Sequence, residues 1–133
     1  LAINNTLNNK ILILPEDILL SRSILNETIG NSCVYVHDHN GDNNFEIGAI
    51  CNDDQLESLT IGIKQNYWTE LLFLNDDKTL KDFKNIINDD FFKNKLFFEA
   101  VNILNQKNQL VVKKVKQCYK LNNAKTLKRI NFE

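Results

Sequence analysis

Cys33-Val34-Tyr35-Val36-His37, then Asp38-His39-Asn40-Gly41-Asp42-Asn43-Asn44, then Phe45-Glu46-Ile47-Gly48-Ala49-Ile50-Cys51 is the stretch on which the fold turns. Two apolar runs flank a polar one, and Asn40-Gly41 tolerates the positive φ of a type I′ turn, so the stretch reads as a β-hairpin. After Asn52-Asp53-Asp54, the alternation in Leu59-Thr60-Ile61-Gly62-Ile63 predicts a third strand, and Tyr67 to Leu74 a fourth. The middle of the chain is thus expected to be an antiparallel meander.

Upstream, Lys10 to Leu14 is a short apolar run stopped by Pro15, which disfavours helix at the residue before it, and reads as a strand. Pro15-Glu16-Asp17 then suits a helical first turn, and Ile18, Leu19, Leu20, Ile24, Leu25 and Ile29 predict a buried helix ending before Gly30. Downstream of Asp76 the period becomes helical. Leu80, Phe83, Ile86 and Ile87 mark one helix, and Phe92, Leu96, Phe97, Ala100, Val101 and Leu104 a second. Asn105 to Gln109 reads as a loop. Leu110 to Tyr119 fits a helical wheel, but its three valines favour a strand, with Thr126 to Phe132 returning as its hairpin partner. Strands and helices in separate runs give an α+β fold: an antiparallel β-sheet meander with an N-terminal helix and two central helices packed on it, in a single domain over residues 1–133.

A chain of 133 residues, 43% hydrophobic and 25% charged, has enough apolar surface to fold without disulfides or metal. Asn is abundant, and with Ile, Lys and Asp it reads as a coding bias more than a structural demand. The absence of Met, with Leu1 at the start, suggests an initiator lost or unobserved. Cys33, Cys51 and Cys118 are odd in number and contain no C-x-x-C pair, so they are expected to be buried thiols. No apolar run approaches a membrane span and no signal segment opens the chain, which points to a soluble cytoplasmic protein.

The polar run invites three chemical readings. Asp38, Asn40, Asp42 and Glu46 have calcium-loop spacing, but the sixth position is Asn43 instead of Gly and the twelfth Ala49 instead of Glu, so the loop fails both tests. His37 and His39, with Cys33 or Cys51, are too few for a zinc site, since no second close ligand pair accompanies them. Those histidines could instead pair with carboxylates for acid–base work. No Gly-rich phosphate loop, nucleophile elbow or paired metal motif supports them, however. No catalytic residue, no cofactor and no metal is expected, and the chain reads as no enzyme.

Charge is the stronger signal. Residues 1–106 hold sixteen acidic against eight basic side chains, and 107–133 one against eight. Between Arg22 and Lys64 there is no Lys or Arg, so the middle presents one sign of charge, suited to a basic partner. Asp38, Asp42, Glu46, Asp53, Asp54 and Glu57 are the expected contact carboxylates, with Tyr67 and Trp68 as aromatic anchors and Tyr35 and Phe45 as further candidates. The lysines near the C-terminus could touch nucleic acid, but apart from Tyr119 they lack interleaved aromatic platforms.

In size, acidic face and composition the chain resembles the immunity proteins of bacterial contact-dependent growth inhibition. The resemblance implies a cytoplasmic protein, monomeric until it binds, that neutralises one cognate basic toxin domain, often a nuclease. The alternative expectation is a small acidic secretion chaperone that holds an extended effector segment and forms a homodimer.

Overall fold

The computed structural model describes residues 10–21, 24, 30–39, 41 and 44–121. In chain order the strands are β1 (Ile11–Ile13), β2 (Ile18–Leu20), β3 (Cys33–His37), β4 (Ile47–Asn52), β5 (Gln55–Ile61) and β6 (Tyr67–Leu74). Then come α1 (Asp77–Asn88), a 3-10 turn at Asp90–Phe92, α2 (Phe97–Lys107), β7 (Val111–Lys114) and β8 (Cys118–Lys120). The α+β class, the two central helices and the 67–74 strand agree with the sequence reading. The expected return strand at 126–132 lies outside the described residues, as do Asn40, Asp42 and Asn43.

The main sheet has the order β1-β6-β3-β7-β5-β4, and β4 also touches β6, so five strands curl back on themselves in a barrel-like closure. This corrects the meander. β3 and β4 are not hydrogen-bonded neighbours: β3 lies between β6, antiparallel, and β7, parallel. The tight hairpin is instead β4–β5, where Asn52 faces Gln55 and Asp53 takes a φ of +54°. The turn chemistry of Asn40-Gly41 was a local signal, and the pairing of β3 on both sides with more distant strands outweighs it.

The N-terminal helix is corrected in the same way. Ile18–Leu20 forms a strand paired antiparallel with β8, Leu121 N–H donates to the Asp17 carbonyl at 2.7 Å, and Ser21 N–H to Gln117 at 3.4 Å. A short apolar run fits either period, and here a partner strand decides it. Ile24 is helical and buried; most of the remaining predicted helix lies outside the described residues. The 110–121 segment resolves as two strands, β7 and β8, separated at Val115.

Alternation along β3 divides two cores. Val34 and Val36 face the cluster under the helices, with Trp68, Leu72, Phe83, Val101 and Leu104. Cys33 and Tyr35 face a smaller one with Ile18, Phe45, Leu71, Phe73 and Cys118. Burial on both faces explains why Cys33-Val34-Tyr35-Val36 is continuously apolar.

The pairing with β6 slips between Val34↔Leu72 and Val36↔Trp68, leaving Thr69, Glu70 and Leu71 opposite Tyr35. This β-bulge keeps its polar groups satisfied. Buried Thr69 donates its hydroxyl to the Tyr35 carbonyl at 2.8 Å, and the Trp68 indole N–H donates to Leu71 O at 3.1 Å.

Both helices show legible ends. Asp76 caps α1, accepting from Thr79 N–H at 2.8 Å and its hydroxyl at 2.9 Å, and the Glu99 carboxylate reaches back to the Leu96 N–H ahead of α2 at 2.7 Å. α1 buries Leu80, Phe83 and Ile86; α2 buries Ala100, Val101 and Leu104.

The asparagines of α2 do structural work that a compositional reading misses. The Asn102 amide accepts from Leu59 N–H at 2.7 Å and donates to Leu59 O at 2.9 Å, replacing a strand neighbour for β5. Asn105 donates to Leu56 O at 2.8 Å and accepts from Leu110 N–H at 2.9 Å, so the run expected to be a loop is largely helix that anchors β5 and β7. Asn102→Ala strands both Leu59 groups and should cost about 1–3 kcal/mol in urea unfolding, whereas exposed Gln106→Ala should stay within about 0.5 kcal/mol.

Candidate functional site

β3 and β7 run parallel, and a parallel pair gathers polar side chains at its carboxyl ends, where ligands in α/β sheets are usually received. Here that end carries His37, Asp38, His39, Lys114 and Lys116. The His37 ring bridges the two strand exits: Nε2 lies 3.2 Å from Lys116 O, and Nδ1 accepts the His39 N–H at 3.0 Å. With Nε2 donating, a neutral ring serves both bonds. Nδ1 also lies 2.5 Å from the His39 carbonyl, so a proton on Nδ1 would still find an acceptor. Asp38 pairs with Lys114 at 3.0 Å across the same end, both side chains being more than half exposed. Among the described residues no three His, Cys, Asp or Glu side chains converge on a metal-sized position.

His37 pairs in register with Tyr67 at the start of β6, and Tyr67 is one wall of an open cleft of about 510 Å³. Phe45, Glu46, Ile61, Ile63 and Lys64 form the rest of the lining that matters chemically. Phe45 is buried, Tyr67 half-buried and Ile61 57% exposed. Glu46 and Lys64 are exposed and hold no ion pair among the described residues. An aromatic and aliphatic wall with a cation and an anion that are unpaired among the described residues can hold a small, charged, partly apolar ligand.

Gly48 shapes this cleft. It faces Tyr67 where β4 meets β6, and a Cβ there would run into Ile63 O and lie 2.7 Å from Gln65 O. Only the missing side chain lets the 63–66 segment cross β4, held by Ala49 N–H to Asn66 O at 2.9 Å.

The carboxylates expected at a partner surface are scattered. Asp38 sits at the β3 end and Glu46 on the cleft. Asp53 and Asp54 occupy the β4–β5 turn, with Asp54 O accepting from Val112 N–H at 2.7 Å, and Glu57 is exposed on β5. Asp42 lies outside the described residues. Tyr67 lines the cleft, but Trp68 is 1% exposed and packs on Phe97 with ring centroids 5.4 Å apart, so it belongs to the core. Tyr35 is likewise core. Lys64 was overlooked because it appears in the sequence only as the end of a base-free stretch; that position at the rim of the acidic region was the available signal.

A second polar pair lies on the bulge. Glu70 adopts a φ of +68°, and its carboxylate meets Lys120 on β8 at 3.8 Å, with both side chains partly buried. The three thiols are poor nucleophiles. Burial raises Cys33 and Cys51, and burial with the nearby Glu70 carboxylate pushes Cys118 up to about 12.

No protein-family model matches the chain, and no curated protein matches it. Solved structures do. A CTP:phosphocholine cytidylyltransferase from Streptococcus pneumoniae superposes with a TM-score of 0.70 at 11% identity, over 89% of this chain and 54% of that one. The inositol-1-phosphate CTP transferase from T. maritima gives 0.61 at 10% identity, over 92% and 53%. A UTP-bound UGPase from Acinetobacter baumannii gives 0.61 at 10% identity, over 96% and 51%. At these identities the likeness establishes the fold, and the chain spans about half the length of each of these structures.

The likeness corrects the functional expectation. One-signed charge and size suggested an immunity protein or a secretion chaperone without enzymatic activity, but the fold of the chain is similar to about half of that of solved nucleotidyltransferases. Charge layout reports on solubility and partners, not on fold, so it could not have distinguished these. Among the described residues no helix is long and apolar enough to cross a membrane.

Gly48→Ala should lower stability by about 1–3 kcal/mol and shift the amide resonances of residues 61–67, since the crossing segment must move. Cys118 predicts a base-side loss of stability. Its unfolded thiol ionises near 9.0 and its folded one near about 12, so between these the unfolded state binds fewer protons. Unfolding free energy should fall by up to about 1.4 kcal/mol per pH unit across that window, and Cys118→Ala should flatten the decline.

Proposed function

We propose that the chain works within a nucleotidyltransferase domain, on the side that holds the acceptor: a phosphorylated alcohol whose phosphate oxygen attacks the α-phosphorus of a nucleoside triphosphate and releases pyrophosphate. The observation that carries this reading is the fold likeness, which extends over 89% to 96% of the chain. The cleft supplies its chemistry. The Lys64 ammonium offers a point charge for the acceptor phosphate, and Phe45 and Tyr67 shelter the alcohol's carbon skeleton. Glu46 orients its polar end.

Acceptor binding in such a reaction contributes positioning: it converts an encounter of two solutes into an oriented pair. A cytoplasmic location accompanies the reading, since nucleoside triphosphates are held there.

Calorimetric titration with phosphorylated alcohols tests it. Saturable binding is expected, weakened about tenfold by Lys64→Gln and unchanged within about twofold by Lys81→Gln on the exposed side of α1. Binding that ignores Lys64, or no binding by any phosphorylated alcohol, would contradict the assignment.

A further inference from the structure

The tip where α1 leads into α2 carries apolar surface that the cleft does not use. Phe91 is 69% exposed, Leu96 59% and Phe97 37%, three of the five large apolar side chains that stand exposed among the described residues. Their placement is held firmly. Asp89 caps the 3-10 turn by accepting the Phe91 N–H at 2.9 Å, Lys95 N–H donates to Phe92 O at 3.0 Å, and the Lys95 ammonium sits 5.1 Å from the centre of the Phe91 ring. Leu96 N–H is tied to Glu99, and the Phe97 ring packs on Trp68 and Phe83 at centroid distances of 5.4 and 6.1 Å. A tip fixed in this way loses little conformational freedom on meeting a partner. Together the three side chains expose roughly 300 Å² of apolar surface, the size at which a patch often serves an interaction.

Charge decides the occupant. Asp89 and Asp90 precede Phe91, and Lys93 and Lys95 follow it, so the rim holds two charges of each sign. An anionic membrane or a nucleic acid calls for a basic rim, and it would also meet a body with sixteen acidic against eight basic side chains over residues 1–106. A partner of one sign gains nothing from such a rim. A second copy does: a two-fold axis set across the line from acids to bases brings the acidic end of each tip against the basic end of the other, around a shared apolar centre.

We infer that this tip is a self-association surface, through which two copies of the chain meet by Phe91 and Leu96. With the rims counted, such a contact covers about 1,200 Å² in all, at the low end of specific interfaces, so the dimer is weak and reversible. Trp68 and Phe83 beneath the tip belong to one core and Phe45 of the cleft to the other, so pairing and ligand binding use different surfaces.

Sedimentation equilibrium of the whole chain, with flotation on phosphatidylserine vesicles beside it, tests the inference. A reversible dimer with a dissociation constant of about 10–100 μM and no vesicle binding are expected, and Phe91→Ser should weaken the dimer about tenfold. Asp90→Lys gives the tip a net positive charge and Lys95→Glu a net negative one. Both positions are exposed and neither makes the Asp89 cap, so each variant should remain folded and monomeric, while an equimolar mixture of the two restores the dimer. A chain that stays monomeric at about 1 mM, a dimer indifferent to Phe91→Ser, a mixture that stays monomeric, or vesicle binding lost on Phe91→Ser would overturn it.

Discussion

The structure depends on β3 being paired on both edges and buried on both faces. β6 and β7 satisfy its backbone from either side, and each of its side chains from Cys33 to Val36 enters one of two cores. Removing water from four consecutive residues is tolerable only because those ladders leave few backbone groups unpaired, and the one interruption, at Tyr35, is repaired by the Thr69 hydroxyl. The candidate cleft follows from where this strand ends. Its last residue, His37, stands against Tyr67, and that contact fixes the cleft beside the parallel strand exits.

Closure of the sheet is the second constraint. β4 reaches β6 only at Gly48, where a side chain would collide with the backbone at 63–65. The segment that crosses there carries Ile63 and Lys64, so the same missing Cβ that closes the sheet also sets one wall and, among the described residues, the cation of the cleft. Sheet closure and cleft are joined at a residue that does not itself line the cleft.

Sequence patterns revealed local structure better than connectivity. The helices at 77–88 and 97–107 were legible because Asp76, Leu80, Phe83 and the 96–104 spacing each carry a cap or a period that acts within one element. The partner of β3 was not, because Asn40-Gly41 offers a hairpin and no residue nearby signals β7, whose residues pair with those 78 positions earlier. Ile18–Leu20 was misread for the same reason: its identity as a strand is decided by β8. Glu46 and Tyr67, expected as contacts for a basic protein partner, line the cleft, whereas Lys64 and Ile61 gain meaning only when the sheet closes around them. Asn102 and Asn105 passed as composition, since their hydrogen bonds connect elements more than 40 positions apart.

The central claim is that the space between Phe45 and Tyr67 receives the carbon skeleton of a phosphorylated alcohol. Its most direct test is a set of intermolecular nuclear Overhauser effects with a bound phosphorylated alcohol. The account predicts contacts from ligand protons to the rings of Phe45 and Tyr67 and to the side chain of Lys64. Contacts confined to the Glu70–Lys120 side of the sheet, or to none of these residues, would contradict it.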